Sequence, residues 1–173
     1  MASPFAFASL NEDIARDMGK EIERKFLVRG DAWRKGQGTL YRQGYLNTAK
    51  ERTVRVRIAG QQAFLTVKGL TRGATRPEFE YPIPVDDART MLDTLCEHPL
   101  VEKRRYRLDV GGLIWEIDEF FGDNQGLVVA EVELDSEDQS FEEPDWVVKE
   151  VTGDPRYFNV NLVEHPYSEW SGD

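Results

Sequence analysis

The feature that most constrains this chain is a charged face that recurs from one extended segment to the next. From Glu21 onward the sequence alternates at period two, the pattern of a strand whose side chains point to opposite sides. In segment after segment the face that is not apolar carries like charges two residues apart. Glu21 and Glu23 share a side, with Lys25 next; so do Arg55 and Arg57, Glu78 and Glu80, Lys103 with Arg105 and Arg107, Glu116 and Asp118, and Glu131 and Glu133. Charge on a strand ordinarily faces water, so one such pair alone describes a solvated outer face. A face kept only for solubility would mix Lys, Glu, Thr and Ser, and like charges at this spacing repel. The whole set therefore points to a common charged interior, which a closed sheet with a polar lumen and an apolar exterior covered by helices provides. Periodicity alone does not prove closure.

Strands are expected at Glu21–Val28, around Gln43–Leu46, and at Thr53–Ile58, Phe64–Lys68, Glu78–Ile83, Val101–Val110, Leu113–Phe121 and Leu127–Leu134. Gly60-Gln61-Gln62 and Gly111-Gly112 read as hairpin turns, and sequential hairpins imply an antiparallel sheet. Two stretches read as helices. Val85–Glu97 has Asp86-Asp87 near its start and apolar Ala88, Met91, Leu92 and Leu95; Ser140–Val151 has Pro144 at a first helical position. Residues 1–20 form an N-terminal extension. Leu10, Ile14 and Met18 there have the spacing of a short amphipathic helix behind Ser9 or Asn11, but a floppy leader fits equally well. The remainder, 21–173, reads as one domain, an ordinary size for a single core. The expected fold is α+β, mainly antiparallel β: an eight-stranded closed tunnel with helices outside.

Composition narrows the function. No apolar run approaches the roughly 20 residues of a membrane helix. The start of the chain lacks the basic-then-apolar pattern of a secretory signal. Cys96 is the single cysteine, which excludes an intramolecular disulfide framework and suits a reducing compartment, so a cytoplasmic protein is expected. Twenty-two Lys and Arg against 32 Asp and Glu give a net charge of −10, a field that repels nucleic acid. A local basic pocket for a small anion is compatible with it. Grouped carboxylates suit hard divalent cations such as Mg²⁺ or Mn²⁺, and grouped Arg and Lys suit phosphate oxygens. Together they suggest a metal–polyphosphate complex. Zinc is poorly served by His98, His165 and one cysteine. Neither a phosphate-binding Gly-x-x-x-x-Gly-Lys-Ser/Thr loop nor a Gly-x-Ser-x-Gly nucleophile elbow occurs.

Glu21-Ile22-Glu23-Arg24-Lys25-Phe26-Leu27-Val28 resembles the Glu-x-Glu-x-Lys signature of CYTH domains, the triphosphate tunnel metalloenzymes. Later segments resemble that family's elements in their order: Arg55-x-Arg57, Thr66-Val67-Lys68-Gly69, Arg76-Pro77-Glu78-Phe79-Glu80, Lys103-x-Arg105-Tyr106, Trp115-Glu116-Ile117-Asp118, Ala130-Glu131-Val132-Glu133-Leu134, and Lys149-Glu150-Val151-Thr152-Gly153-Asp154 with Arg156-Tyr157-Phe158-Asn159. The likeness covers about 21–162 and is specific as an ordered set. It implies an eight-stranded antiparallel tunnel that binds triphosphate with a divalent metal. Known members include tripolyphosphatases, thiamine-triphosphatases, class IV adenylate cyclases and RNA triphosphatases, so fold is implied more firmly than substrate.

Within that resemblance Glu21, Glu23, Glu131 and Glu133 are the metal carboxylates. Lys25, Arg55, Arg57, Lys68, Lys103 and Arg105 bind phosphate oxygens, and internal ion pairs with the carboxylates are expected as well. Glu80 and Asp118 serve a second metal or orient the attacking water; Glu78 and Glu116 share their faces and could do the same. Lys149 is expected to reach the tunnel from a C-terminal helix, and Arg107 and Arg156 are weaker candidates. Cys96 reads as a buried small hydrophobe, the two histidines as loop residues and the four tryptophans as exterior packing. The expected reaction is metal-assisted hydrolysis of a triphosphate, with short bacterial inorganic triphosphatases the nearest match. The class IV cyclases carry a His-Phe pair shortly before the signature, where this chain has Asp17-Met18-Gly19-Lys20. A cyclase, a thiamine- or nucleoside-triphosphatase, a non-catalytic polyphosphate binder and a protein-interaction domain are the alternatives. Homodimerisation rests on family analogy alone.

Overall fold

The computed structural model describes residues 21–72 and 74–170, so the helix expected between Leu10 and Met18 lies outside the described residues. In chain order the strands are β1 (Glu21–Val28), β2 (Thr39–Asn47), β3 (Arg52–Ala59), β4 (Gln62–Gly69), β5 (Thr75–Arg76), β6 (Glu78–Ile83), β7 (Val101–Val110), β8 (Leu113–Phe120), β9 (Val128–Glu133) and β10 (Val147–Glu150). Helix α1 (Val85–Thr94) joins β6 to β7, and a short α2 (Asn161–Glu164) lies near the end. The pairings between strands are antiparallel, in the order β10-β1-β9-β8-β7-β2-β3-β4-β6. The β7–β8 hairpin keeps unbroken register from Val110 opposite Leu113 to Lys103 opposite Phe120. Its turn holds Gly111 and Gly112 at φ of 61° and 85°, the left-handed geometry that matches strand twist and that glycine adopts without strain.

The ladder does not close along a full strand edge, as a perfect tunnel would. Pro77, which has no N–H to give a ladder, separates β5 from β6. Beyond it β6 pairs with β4, while β5 pairs with β1 through Glu21 opposite Arg76 and Ile22 opposite Thr75. This two-residue contact is what brings the sheet back round to its first strand.

Alternation sorts the side chains. On the outside of β1, β7, β8 and β9, Ile22, Phe26, Tyr106, Trp115, Ile117, Ala130 and Val132 form a core with Trp33. On β3 and β4, Val56 and Ala63 pack against Ala88 and Leu92 of α1. A third cluster lies on the charged face itself: Val101, Phe120 and Val129 each sit two residues from Lys103, Asp118 and Glu131. There Tyr157, Leu162 and Val163 of the C-terminal segment pack over them, so the interior changes from charged to apolar along the strands.

The helix expected over Ser140–Val151 does not form. Phe141 and Trp146 lie five residues apart, off a common helical face, and β-branched Val147 and Val148 favour extension. Phe141, Trp146 and Val147 instead lay an irregular segment over the outer core, and β10 adds to the edge of β1. The expected Val85–Glu97 helix is real but ends at Thr94.

Candidate active site

Inside the curved sheet lies a cavity of about 700 Å³ to which most strands contribute. Glu21, Glu23 and Lys25 come from β1, Tyr41 and Tyr45 from β2, Arg55 and Arg57 from β3, and Lys68 from β4. Arg76, Glu78 and Glu80 follow from β5 and β6; Lys103, Arg105, Arg107, Glu116, Glu131 and Glu133 complete the wall from β7, β8 and β9. The structure thus gathers the proposed metal carboxylates, the six proposed phosphate-binding cations and Glu80 in one space. Depth is readable along β7, whose side chains go from 1% exposed at Lys103 through 9% at Arg105 to 60% at Arg107.

The deepest charges form a closed network. Arg105 grips Asp118 with two parallel bonds, Nε to Oδ1 at 2.7 Å and Nη2 to Oδ2 at 2.6 Å, and reaches Glu131 Oε2 at 2.8 Å. It also pairs with Glu116, and Lys103 donates to Asp118. Lys25 Nζ lies 2.8 Å from Glu131 Oε1. Burial raises the carboxyls of Asp118 and Glu131, but Arg105 with Lys103, and Lys25 with Arg105, reverse this and hold both below the usual carboxylate range. Burial also draws Lys103 down to about 8, and Asp118 opposes that fall.

A second network spans β3, β4 and β6. Glu80 accepts from Arg57 at 2.9 Å, from Arg55 at 3.3 Å and from the Thr66 hydroxyl at 2.7 Å. Burial opposes ionisation of Glu80, and the two arginines more than offset it. Lys68 bridges Glu21 at 3.1 Å and Glu78 at 2.7 Å, while Arg76 Nε donates to Glu21 at 2.8 Å. Among the described residues the buried Nε atoms of Arg55 and Arg57 have no hydrogen-bond partner, an unmet donor capacity in the wall of a cavity.

Two of the expected catalytic residues stand elsewhere. Asp118 is 1% exposed and lies behind the wall, where it fixes Lys103 and Arg105 and does not line the cavity. Lys149 is exposed on β10 opposite Leu27, in a strand and not in the helix expected to carry it inward, and it does not line the cavity. Arg107 lines the exposed part of the wall, whereas Arg156 stays outside with Asp154.

Three contributors escaped charge counting. Tyr41 sets its ring 5.3 Å from the guanidinium carbons of Arg57 and Arg105 and 5.8 Å from Lys103 Nζ, a geometry that favours cations. Its signal was the alternation Tyr41, Gln43, Tyr45, which shares the period but carries no charge. Thr66 shares a face with Lys68, and Arg76 before Pro77 has no like charge two residues away, where Ala74 and Glu78 stand.

A divalent metal fits the donor chemistry. Glu23 and Glu133 are paired residues on adjacent strands, as are Lys25 and Glu131. Burial and the neighbouring Glu131 push Glu23 up to about 7, with Lys25, 3.6 Å away, only partly opposing them. Crowded carboxylate oxygens of this kind are satisfied by a hard cation. Among the described residues no three such side chains converge into a ready-made cage, because Lys68, Arg76, Lys25 and Arg105 hold Glu21 and Glu131.

Comparison with known proteins matches residues 19–167 to the CYTH domain. An inorganic triphosphatase of Acetivibrio thermocellus is 53% identical over 154 residues, covering 88% of this chain and 99% of that protein. One from Nitrosomonas europaea is 40% identical over 147 residues, covering 83% and 96%. The crystal structure of an inorganic triphosphatase superposes with a TM-score of 0.60 at 38% identity, covering 83% of this chain and 93% of that one. With the charged lumen, the ordered set of acidic and basic strands, and a family match over nearly the whole length, the chain belongs to the CYTH domain family.

Proposed function

We propose that this protein is a divalent-metal-dependent inorganic triphosphatase that cleaves tripolyphosphate to pyrophosphate and orthophosphate inside the cavity. The observation that carries the reading is the joint presence, in one space of about 700 Å³, of Glu21, Glu23, Glu131 and Glu133 and of Lys25, Arg55, Arg57, Lys68, Lys103 and Arg105. The inorganic triphosphatases to which the chain is similar support the same substrate.

Glu21, Glu23, Glu131 and Glu133 are the residues that would hold Mg²⁺ or Mn²⁺, which when bound draws charge from the phosphate oxygens. Arg55 and Arg57 offer their fork-shaped donors to the triphosphate, and their unpartnered Nε atoms gain acceptors. Lys25, Lys68, Lys103 and Arg105 neutralise the remaining charge and keep the chain extended. Asp118 acts through Lys103 and Arg105, holding both in place. Glu80, ionised and on the cavity wall, is positioned to accept a proton from water once a phosphate oxygen takes over Arg57. No covalent enzyme intermediate is required. The reading carries with it a cytoplasmic setting, a homodimer by family analogy and, given the net charge of −10, no nucleic-acid partner.

The test is phosphate release from tripolyphosphate, ATP and thiamine triphosphate with Mg²⁺, Mn²⁺ or EDTA, the ATP reactions being examined for cyclic AMP. Metal-dependent hydrolysis fastest on tripolyphosphate is expected. Cyclic AMP with pyrophosphate would replace the reading with a cyclase, and tight binding without turnover would replace it with a polyphosphate binder.

A further inference from the structure

The outer face of the sheet carries an arginine that no carboxylate among the described residues answers. Arg104 lies on β7 between the lumen residues Lys103 and Arg105, so its side chain points away from the cavity. Its register neighbours are Leu40 on β2 and Glu119 on β8. Glu119 is already taken, by the Arg34 guanidinium and, at 3.4 Å, by the Tyr106 hydroxyl. The Arg104 side chain makes no ion pair or hydrogen bond with any described residue, and its Nε is buried without a partner among them. Arg29, Arg52 and Arg72 also lack a carboxylate partner among the described residues, but of these four arginines Arg104 is the one whose Nε is buried without a partner.

The side chain is nevertheless held in place. Its guanidinium lies 5.9 Å from the centre of the Phe121 ring. Its stem rests on Gly38, where a Cβ would fall 2.8 Å from Arg104 Cγ and where φ is +61°; only glycine allows this approach. Arg34, Gly36, Gly38, Thr39 and Arg104 line one surface hollow. Gly36, Gln37 and Gly38 donate no loop hydrogen bond to the described backbone, so their N–H groups keep unused donor capacity beside the hollow. Two guanidinium groups, one of them without a partner, beside a glycine loop with unused N–H donors is the chemistry of oxyanion recognition.

We propose that this hollow is a binding site for a small tetrahedral oxyanion of the sulfate or phosphate class, outside the triphosphate cavity and on the opposite face of β7. Arg104 is the principal ligand, and Arg34 and the Gly36–Gly38 loop enclose the anion.

The ¹⁵N-labelled full-length chain in EDTA, titrated with sulfate, orthophosphate and pyrophosphate at constant ionic strength, tests this. Amide shifts at Gly36, Gln37 and Gly38 should saturate with at least one anion. Arg104→Met keeps the stem that packs on Gly38 and Phe121, and should weaken that binding about tenfold. Tripolyphosphate hydrolysis by the same variant should stay within about twofold of the parent, since Arg104 is outside the cavity. Shifts that grow linearly without saturation, saturation that survives Arg104→Met, or anion effects confined to cavity residues would each overturn the site.

Discussion

Along β7 and β8, Lys103, Arg105 and Asp118 answer one another's charges almost wholly out of solvent; across β9, on β1, Glu23 shares its nearest cation with Glu131. Asp118 and Glu131 are held ionised, while Glu23 is pushed up to about 7 by burial and its acidic neighbour. The same residue types thus do two jobs. A carboxylate with a bidentate arginine is part of the frame. A carboxylate crowded by its own kind marks where an added cation lowers the energy of the site.

This contrast can be broken by mutation. Arg105→Ala removes one cation from Asp118, Glu116 and Glu131 together and should cost about 3–5 kcal/mol in stability, since it strands buried charge; a urea midpoint equal to the parent's would end the description of this network as frame. Glu23→Gln should do the reverse. Metal-dependent phosphate release should fall about a hundredfold or more, while the unfolding midpoint in EDTA stays level or rises because a repulsion is lost. Equal destabilisation by the two variants would erase the distinction. Tyr41→Leu sharpens the picture on the basic side: losing a ring near three cations should raise KM for tripolyphosphate roughly threefold to tenfold, with Tyr41→Phe close to the parent.

The smallest expected effect comes from the thiol outside the cavity. Burial and Glu97 raise Cys96 to about 11 from an ordinary 9. Its folded-state pKa is raised, so its contribution to stability is complete below pH 9 and is lost as pH climbs through about 11. Cys96→Ser should flatten that alkaline decline, and alkylation of the parent at pH 8 should be slow because little thiolate exists. Rapid alkylation there would contradict the burial.

What could be read from sequence followed the period of the chain. Arg55, Arg57, Glu78, Glu80 and the Lys103–Arg107 run revealed their shared interior because alternation reports a face without reporting what that face meets. It could not say that Asp118 would be sealed behind two cations, since side-chain depth depends on neighbouring strands. Nor could it separate Val147–Glu150 from a helix. That segment is short, follows the acidic Glu142-Glu143 and Asp145, and is kept extended by pairing with β1, a tertiary preference that local propensity does not contain. Tyr41 and Thr66 were missed because the same period, without charge, looks like ordinary strand.

The position of β1 bears on how the chain is made. Its ladder partners β9 and β10 come late: Lys25 bonds to Thr152 across 127 residues. During vectorial synthesis the Glu-x-Glu-x-Lys strand therefore leaves the ribosome long before its neighbours exist, and only the two-residue β5 can meet it early. Such remote pairing makes for slow acquisition of the native state. The interval is tolerable because the waiting strand presents charge to water on one face, which keeps it soluble until Glu131 and Glu133 arrive.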